Sequence, residues 1–165
     1  IIGWFQGKME FGQRALGNRS IIATPTGDKI KDLINRAVKF REGFRPFAPA
    51  ILEEYAKEYF EFPDDEHVFF MEKVYQFKDK YQKKFPAIVH YDGTGRLQSV
   101  NKKINPRFYR LIESFNELTG VPIVVNTSFN LNGEPIVESP IDAIKTFYVC
   151  GLDYLVIGNY LISKS

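Results

Sequence analysis

Residues 105–130, NPRFYRLIESFNELTGVPIVVNTSFN, set the fold class. Asn105 offers a side-chain oxygen to the first free amides of a helix, and Pro106 suits the first helical position, where no N–H is needed. Phe108, Leu111, Ile112, Phe115 and Leu118 recur at helical spacing and are expected to face inward, and Gly120 supplies the stop. Val121 to Val125 follows at once as a short apolar run rich in β-branched residues, which predicts a buried strand. Polar residues come directly after it, from Asn126 to Pro135. The crevice at a strand's carboxyl end is where open α/β sheets hold ligands.

Working outward, Ser139-Pro140 opens a second helix by the same chemistry and Gly151 ends it, with Tyr154 to Ile157 and Tyr160 to Ile162 as closing strands. Upstream, residues 1–5 and 20–23 read as short strands. Ile30, Leu33, Ile34, Ala37 and Val38 fall on one face of a helix starting near Asp28. Phe47 to Leu52 and Val68 to Phe77 read as extended, with a short acidic helix between them. Ala87 to His90 and Leu97 to Val100 read as strands flanking a turn at Asp92-Gly93-Thr94-Gly95. No internal repeat, low-complexity tract or Gly-Ser linker divides the chain. The prediction is one α+β domain over 1–165, a twisted mixed β-sheet with packed helices and loops that carry the polar residues.

Composition narrows the class. The 165 residues are 44% hydrophobic and 25% charged, as in ordinary globular proteins. No apolar run approaches the roughly 20 residues of a bilayer-spanning helix, and the first residues lack the basic segment and cleavage site of a signal peptide. The absence of an initiating Met suggests a domain cut from a longer protein. Cys150, the single cysteine, cannot form an internal disulfide; its apolar neighbours predict a packing role, and a reducing, cytoplasmic setting fits. Net charge is only +2, but nine Lys and Arg against four acids lie between Lys8 and Arg45, while seven acids lie between Glu53 and Glu66. That separation predicts a positive surface, or else solvated faces.

Three segments concentrate chemistry. Gly7 to Ser20 joins glycines, which allow close backbone approach, to Arg14 and Arg19, whose forked donors suit phosphate; a plain surface loop is the alternative. Lys39-Phe40-Arg41-Glu42-Gly43-Phe44-Arg45 alternates so that, if extended, Lys39, Arg41 and Arg45 share one face while Phe40, Phe44 and Phe47 face the core. Such cations repel unless an anion joins them, although an amphipathic edge strand gives the same pattern. Asn126, Ser128 and Asn130 recur at every second position and would point together, although a polar turn also explains them. Asp92 and Thr94 are candidates to ligate a nucleotide's magnesium, and Arg96 to reach a phosphate. His90 has no Cys or His at metal spacing, so no zinc or iron site is expected within the chain.

Taken in order, residues 7–20, 39–49, Asp92-Gly93-Thr94 and Asn126-Thr127-Ser128-Phe129-Asn130 resemble the C-terminal domain of the NodU/CmcH carbamoyltransferases, nearly end to end. That family decorates nodulation factors and antibiotics. Its C-terminal domain resembles the YrdC fold, with a nucleotide site marked by Lys-x-Arg and a later Ser-x-Asn. Lys39, Arg41, Ser128 and Asn130 match that tetrad and are implied as the catalytic set. Arg14, Arg19, Arg45, Arg96 and Asn126 match positions implied around ATP and carbamoyl phosphate. Gln13 stands where the family usually has Pro, which would loosen the loop presenting Arg14. The resemblance implies ATP as substrate, with magnesium, and formation of carbamoyl-adenylate. It also implies an N-terminal ASKHA-like domain of the same protein that holds the iron or other metal and completes transfer to a hydroxyl. No membrane partner is expected. An RNA-binding or non-catalytic docking module of YrdC-like fold is the rival reading, weakened as a nucleic-acid binder by the small net charge.

Overall fold

A computed structural model describes residues 1–27, 29–40 and 45–164. Its strands are β1 (Ile2–Phe5), β2 (Arg19–Ala23), β3 (Ala48–Leu52), β4 (Val74–Gln76), β5 (Thr94–Arg96), β6 (Gln98–Val100), β7 (Ile123–Ser128), β8 (Tyr154–Ile157) and β9 (Tyr160–Ser163). Its helices are α1 (Ile30–Ile34), α2 (Ala56–Tyr59), α3 (Asp79–Gln82), α4 (Pro106–Thr119) and α5 (Pro140–Val149). Seven strands form one mixed sheet in the order β6-β3-β7-β2-β1-β8-β9, while β4 and β5 pair separately. The sheet is parallel at β1–β8 and β3–β6 and antiparallel elsewhere. The α+β class with a mixed sheet is the one expected.

Alternation along the strands sends side chains to two layers. Trp4, Ile22, Ala50 and Val124 meet Phe108, Tyr109 and Ile112 of α4 on one face. On the other, Phe5, Ile21 and Leu155 meet Ala143 and Phe147 of α5, and Ile34 of α1 packs with Ala23, Ile51 and Ile123. The caps are those the sequence implies. Asn105 Oδ1 accepts from the Phe108 amide at 3.1 Å, Gly120 closes α4 at φ 69°, and Ser139 with Asp142 makes a capping box on α5. An aromatic annex explains much of the Phe and Tyr content. Phe60 and Phe77 lie 4.0 Å apart by ring centroid, with Phe85 6.4 Å from Phe77. All three are fully buried, each contributing about 1.5–3 kcal/mol by leaving water.

Several expectations give way. Ala87 to His90 is a turn, not a strand: the Ile88 and Val89 amides both donate to Phe85 O, so the apolar run is buried by chain reversal. Thr94 and Gly95, read as part of the turn, pair with β4 together with Arg96, and β6 pairs in parallel with β3 instead of forming a hairpin. Leu118 is exposed, because ten residues at roughly 100° each carry it about 80° from Phe108, in the last turn of α4. Leu33 is also exposed. The α-helix holding it ends at Ile34 and widens into a π-helical turn over Asn35–Lys39, which resets the periodicity. No helix among the described residues is long and apolar enough to cross a membrane.

Candidate functional site

The π-helical turn positions the first functional residue. Phe40 N–H donates to Asn35 O, five residues back, at 2.6 Å, so the chain turns one residue later than an α-helix would. Lys39 is therefore helical, not extended as expected, and its side chain is buried at 6% exposure. The ammonium donates to Ser128 O at 2.6 Å, Ser128 Oγ at 3.2 Å, Asn130 O at 3.1 Å and Asn130 Oδ1 at 2.7 Å. Ser128 Oγ donates to Asn130 Oδ1 at 2.6 Å, and Asn130 Nδ2 to Glu134 O at 2.7 Å. Three protons thus serve four neutral oxygens, fixing a cation at the end of β7.

Lys39, Ser128 and Asn130, distant in sequence, meet here. Arg41 of the expected tetrad lies outside the described residues, as does Phe44. Around the trio opens a cleft of about 480 Å³ lined by Lys39, Phe40, Arg45, Thr127, Ser128, Asn130, Leu131, Asn132 and Gly133. Phe40 does not face the core, because its φ of 45° turns it outward to 61% exposure. A left-handed conformation costs a non-glycine residue roughly 1–2 kcal/mol.

A second, smaller pocket of about 120 Å³ adjoins the first across Thr127 and Ser128, with Arg14, Arg96, Met71 and Asn126 also in its wall. Met71 sits at φ 58°, so the two non-glycine residues with positive φ among the described ones, Phe40 and Met71, both border this site. Asn126 does not join Ser128 and Asn130 as its spacing suggested. It is 1% exposed, and its Nδ2 donates to Ala15 O at 3.1 Å and Gln98 Oε1 at 2.7 Å. Gln98 Nε2 in turn donates to Leu16 O at 2.8 Å, so two amides tie the Arg14 loop to the sheet. Asn126 Oδ1 accepts no hydrogen bond from the described residues, a buried deficit costing about 1–3 kcal/mol.

Arg14 and Arg19 have different situations despite similar sequence surroundings. Arg14 is half-buried on the pocket wall, with no hydrogen bond or ion pair to the described residues. Arg19 is 4% exposed. Its terminal nitrogens donate to Gln6 O at 2.8 Å, Asn18 O at 3.0 Å, Gly7 O at 3.1 Å and Glu138 O at 3.3 Å. Its guanidinium also lies 3.5 Å over the Phe5 ring. Burial pulls its pKa down against the opposing pull of Glu10. With those four donors committed to carbonyls, Arg19 organises the loop, and its Nε is buried with no hydrogen-bond partner among the described residues.

The remaining candidates separate as clearly. Asp92 Oδ1 accepts from Thr94 N at 3.0 Å and Thr94 Oγ1 at 2.7 Å, bonds that hold its carboxyl below the ordinary range. That oxygen closes a turn. No group of three or more His, Cys, Asp or Glu able to hold a metal occurs among the described residues. His90 shares its Nδ1 with Thr94 Oγ1 at 3.0 Å, and burial lowers its pKa. Cys150 is buried, and burial raises its thiol pKa, as a packing role predicts.

Sequence reasoning missed Glu10, Gln98 and Met71. Glu10 Oε1 accepts from the Leu16 and Asn18 amides at 2.6 and 2.7 Å, folding the loop around Arg14. A glutamine inside a short predicted strand was the one available signal for Gln98; Met71 carried none.

Comparison with known proteins gives this geometry a family. The family model for the carbamoyltransferase C-terminus matches residues 1–164. The chain is 53% identical to nodulation protein NolNO of Sinorhizobium fredii and 51% identical to nodulation protein NolO of Bradyrhizobium diazoefficiens, each over 99% of its length. It is 33% identical over 96% of its length to the 3'-hydroxymethylcephem-O-carbamoyltransferase of Amycolatopsis lactamdurans. It spans 24%, 30% and 30% of those three relatives, respectively. A full-length family match and relatives sharing half its residues make the chain a member of the carbamoyltransferase C-terminus family.

Proposed function

We propose that this chain is the substrate-activating part of an O-carbamoyltransferase: it binds ATP and carbamoyl phosphate and forms carbamoyl-adenylate. The observation that carries the reading is the buried Lys39 ammonium fixed by Ser128 and Asn130 at the carboxyl end of β7. Around it lie Arg45 on one side and Arg14 and Arg96 on the other. Two adjoining compartments lined by cations suit a reaction in which two anions must meet. The larger has room for a nucleotide, and the smaller suits carbamoyl phosphate.

In the proposed sequence, water displaces phosphate from carbamoyl phosphate to leave carbamate. A carbamate oxygen then attacks the α-phosphorus of ATP, the bond to the bridging oxygen breaks, and pyrophosphate leaves. Phosphoryl chemistry of this kind needs alignment and charge neutralisation more than an acid or base. Lys39, Arg14 and Arg45 would supply the charge, Ser128 and Asn130 would orient phosphate or carbamoyl oxygens, and Asn126, whose Nδ2 is already bonded, would accept from the carbamoyl NH2 through Oδ1. Magnesium would arrive with the nucleotide. Delivery of the carbamoyl group to a hydroxyl belongs, in this proposal, to an N-terminal ASKHA-like domain with its metal.

Calorimetry with ATP and with carbamoyl phosphate tests the reading. Both bind the unaltered chain, and Lys39→Ala loses ATP binding without unfolding. Binding that survives Lys39→Ala in full would move the site elsewhere. Tight binding of transfer RNA with steep salt dependence and no ATP binding would favour the nucleic-acid alternative.

A further inference from the structure

Phe40 combines an exposed ring with a left-handed backbone, a costly placement for an aromatic residue. Phe60, Phe77, Phe85, Phe108, Phe129 and Phe147 are each completely buried, as apolar rings should be. Phe40 is 61% exposed and held out by a left-handed backbone. Nothing about its ring stabilises the core, and a glycine or asparagine would fit that backbone with less strain. Phe11, Tyr91 and Tyr160 are more exposed still, but none of them lines the cleft. Phe40 does, and it is fixed there from the backbone by the hydrogen bond from its N–H to Asn35 O that closes the π-helical turn.

The cleft lining divides by chemistry. Lys39, Ser128, Asn130 and Arg45 make one part polar and cationic, while the apolar side chains of the lining are Phe40 and Leu131. A ligand matching both parts carries anionic phosphates and a flat apolar group. We infer that Phe40 is the stacking platform for the nucleobase, and that it makes the cleft select a nucleotide over a bare polyphosphate. Stacking on an aromatic face is tolerant of base identity because every base has a π-face. The selection is therefore for a nucleotide in general. This inference rests on the proposed ATP site and adds the residue that reads the base.

The test measures ATP and inorganic tripolyphosphate binding by calorimetry on the chain and its Phe40 variants. Phe40→Ala weakens ATP by roughly 5- to 150-fold, the range of one base–aromatic stack, and leaves tripolyphosphate unchanged. Phe40→Trp keeps ATP binding. Phe40→Gly loses ATP affinity as Phe40→Ala does, yet melts no lower than the parent, because relief of the backbone offsets loss of an exposed ring. Equal losses for ATP and tripolyphosphate, or no loss for either, overturn the inference and leave the anion site standing. Tripolyphosphate binding without ATP binding in the unaltered chain overturns the nucleotide reading itself, and the inference with it.

Discussion

Arg19→Met and Arg14→Met should separate a structural arginine from a ligand-binding one. Removing the Arg19 guanidinium strips donors from Gln6 O, Asn18 O, Gly7 O and Glu138 O. A buried acceptor left without a partner costs about 1–3 kcal/mol. The Gln6 contact is buried, Asn18 O keeps the Gln6 amide as a donor, and the other two are partly buried and can recruit water, so the full penalty applies once and a fraction of it twice. Methionine keeps some packing on Phe5 but not the cation–π contact, which is worth about 0.5–2 kcal/mol. The sum is about 4 kcal/mol. At roughly 2–4 °C per kcal/mol for a chain of this size, the melting temperature falls by about 8–16 °C. Arg14→Met, removing a half-buried side chain with no hydrogen bond or ion pair to the described residues, changes stability by about 0.5 kcal/mol or less. It lowers carbamoyl phosphate affinity instead. Thermal and urea denaturation beside calorimetry read both effects. An Arg19→Met chain that melts like the parent while losing ligand would refute this assignment, as would an Arg14→Met chain that unfolds.

Gly17 holds φ 110°, and a Cβ there would lie 2.3 Å from Phe108 Cδ1, so Gly17→Ala should cost about 3 kcal/mol or more by forcing α4 off the sheet, measurable in urea. His90, with its pKa lowered by burial and by Arg96 against the opposing pull of Asp92, takes up its proton more readily unfolded than folded. Stability is therefore complete above the unfolded pKa and is lost as pH falls below about 6.5; urea titrations at neutral and acid pH should show this slope reduced in His90→Asn. Cys150 should resist thiol reagents at neutral pH until the chain is denatured, because burial keeps the thiol protonated; rapid labelling of the native chain would place it at the surface.

The parts of the fold legible in sequence are those written in local chemistry. Asn105-Pro106 through Gly120 and Ser139-Pro140 carry their own starts and stops, so α4 and α5 lie where those residues put them. Val121 to Val125 reads as a buried strand, and β7 begins within it at Ile123. Ala87 to His90 looked the same but is a buried turn, because an apolar run reports burial and not chain direction. At the site, residue identities were readable and geometry was not. Family resemblance grouped Lys39 with Ser128 and Asn130, while the extended-chain argument for Lys39 gave the wrong backbone, since no periodicity signals an i to i+5 bond. The surroundings of Arg19 were not legible for a related reason: its partners are backbone carbonyls, which every sequence has and none displays.

The central claim is that the chain joins carbamate to the α-phosphorus of ATP at the end of β7. Exchange of labelled pyrophosphate into ATP reads that bond directly, because only reversal of adenylate formation returns the label. The account predicts exchange that requires carbamoyl phosphate and is abolished in Lys39→Ala. Exchange that proceeds equally without carbamoyl phosphate, or a chain that binds both ligands and exchanges nothing, would contradict it.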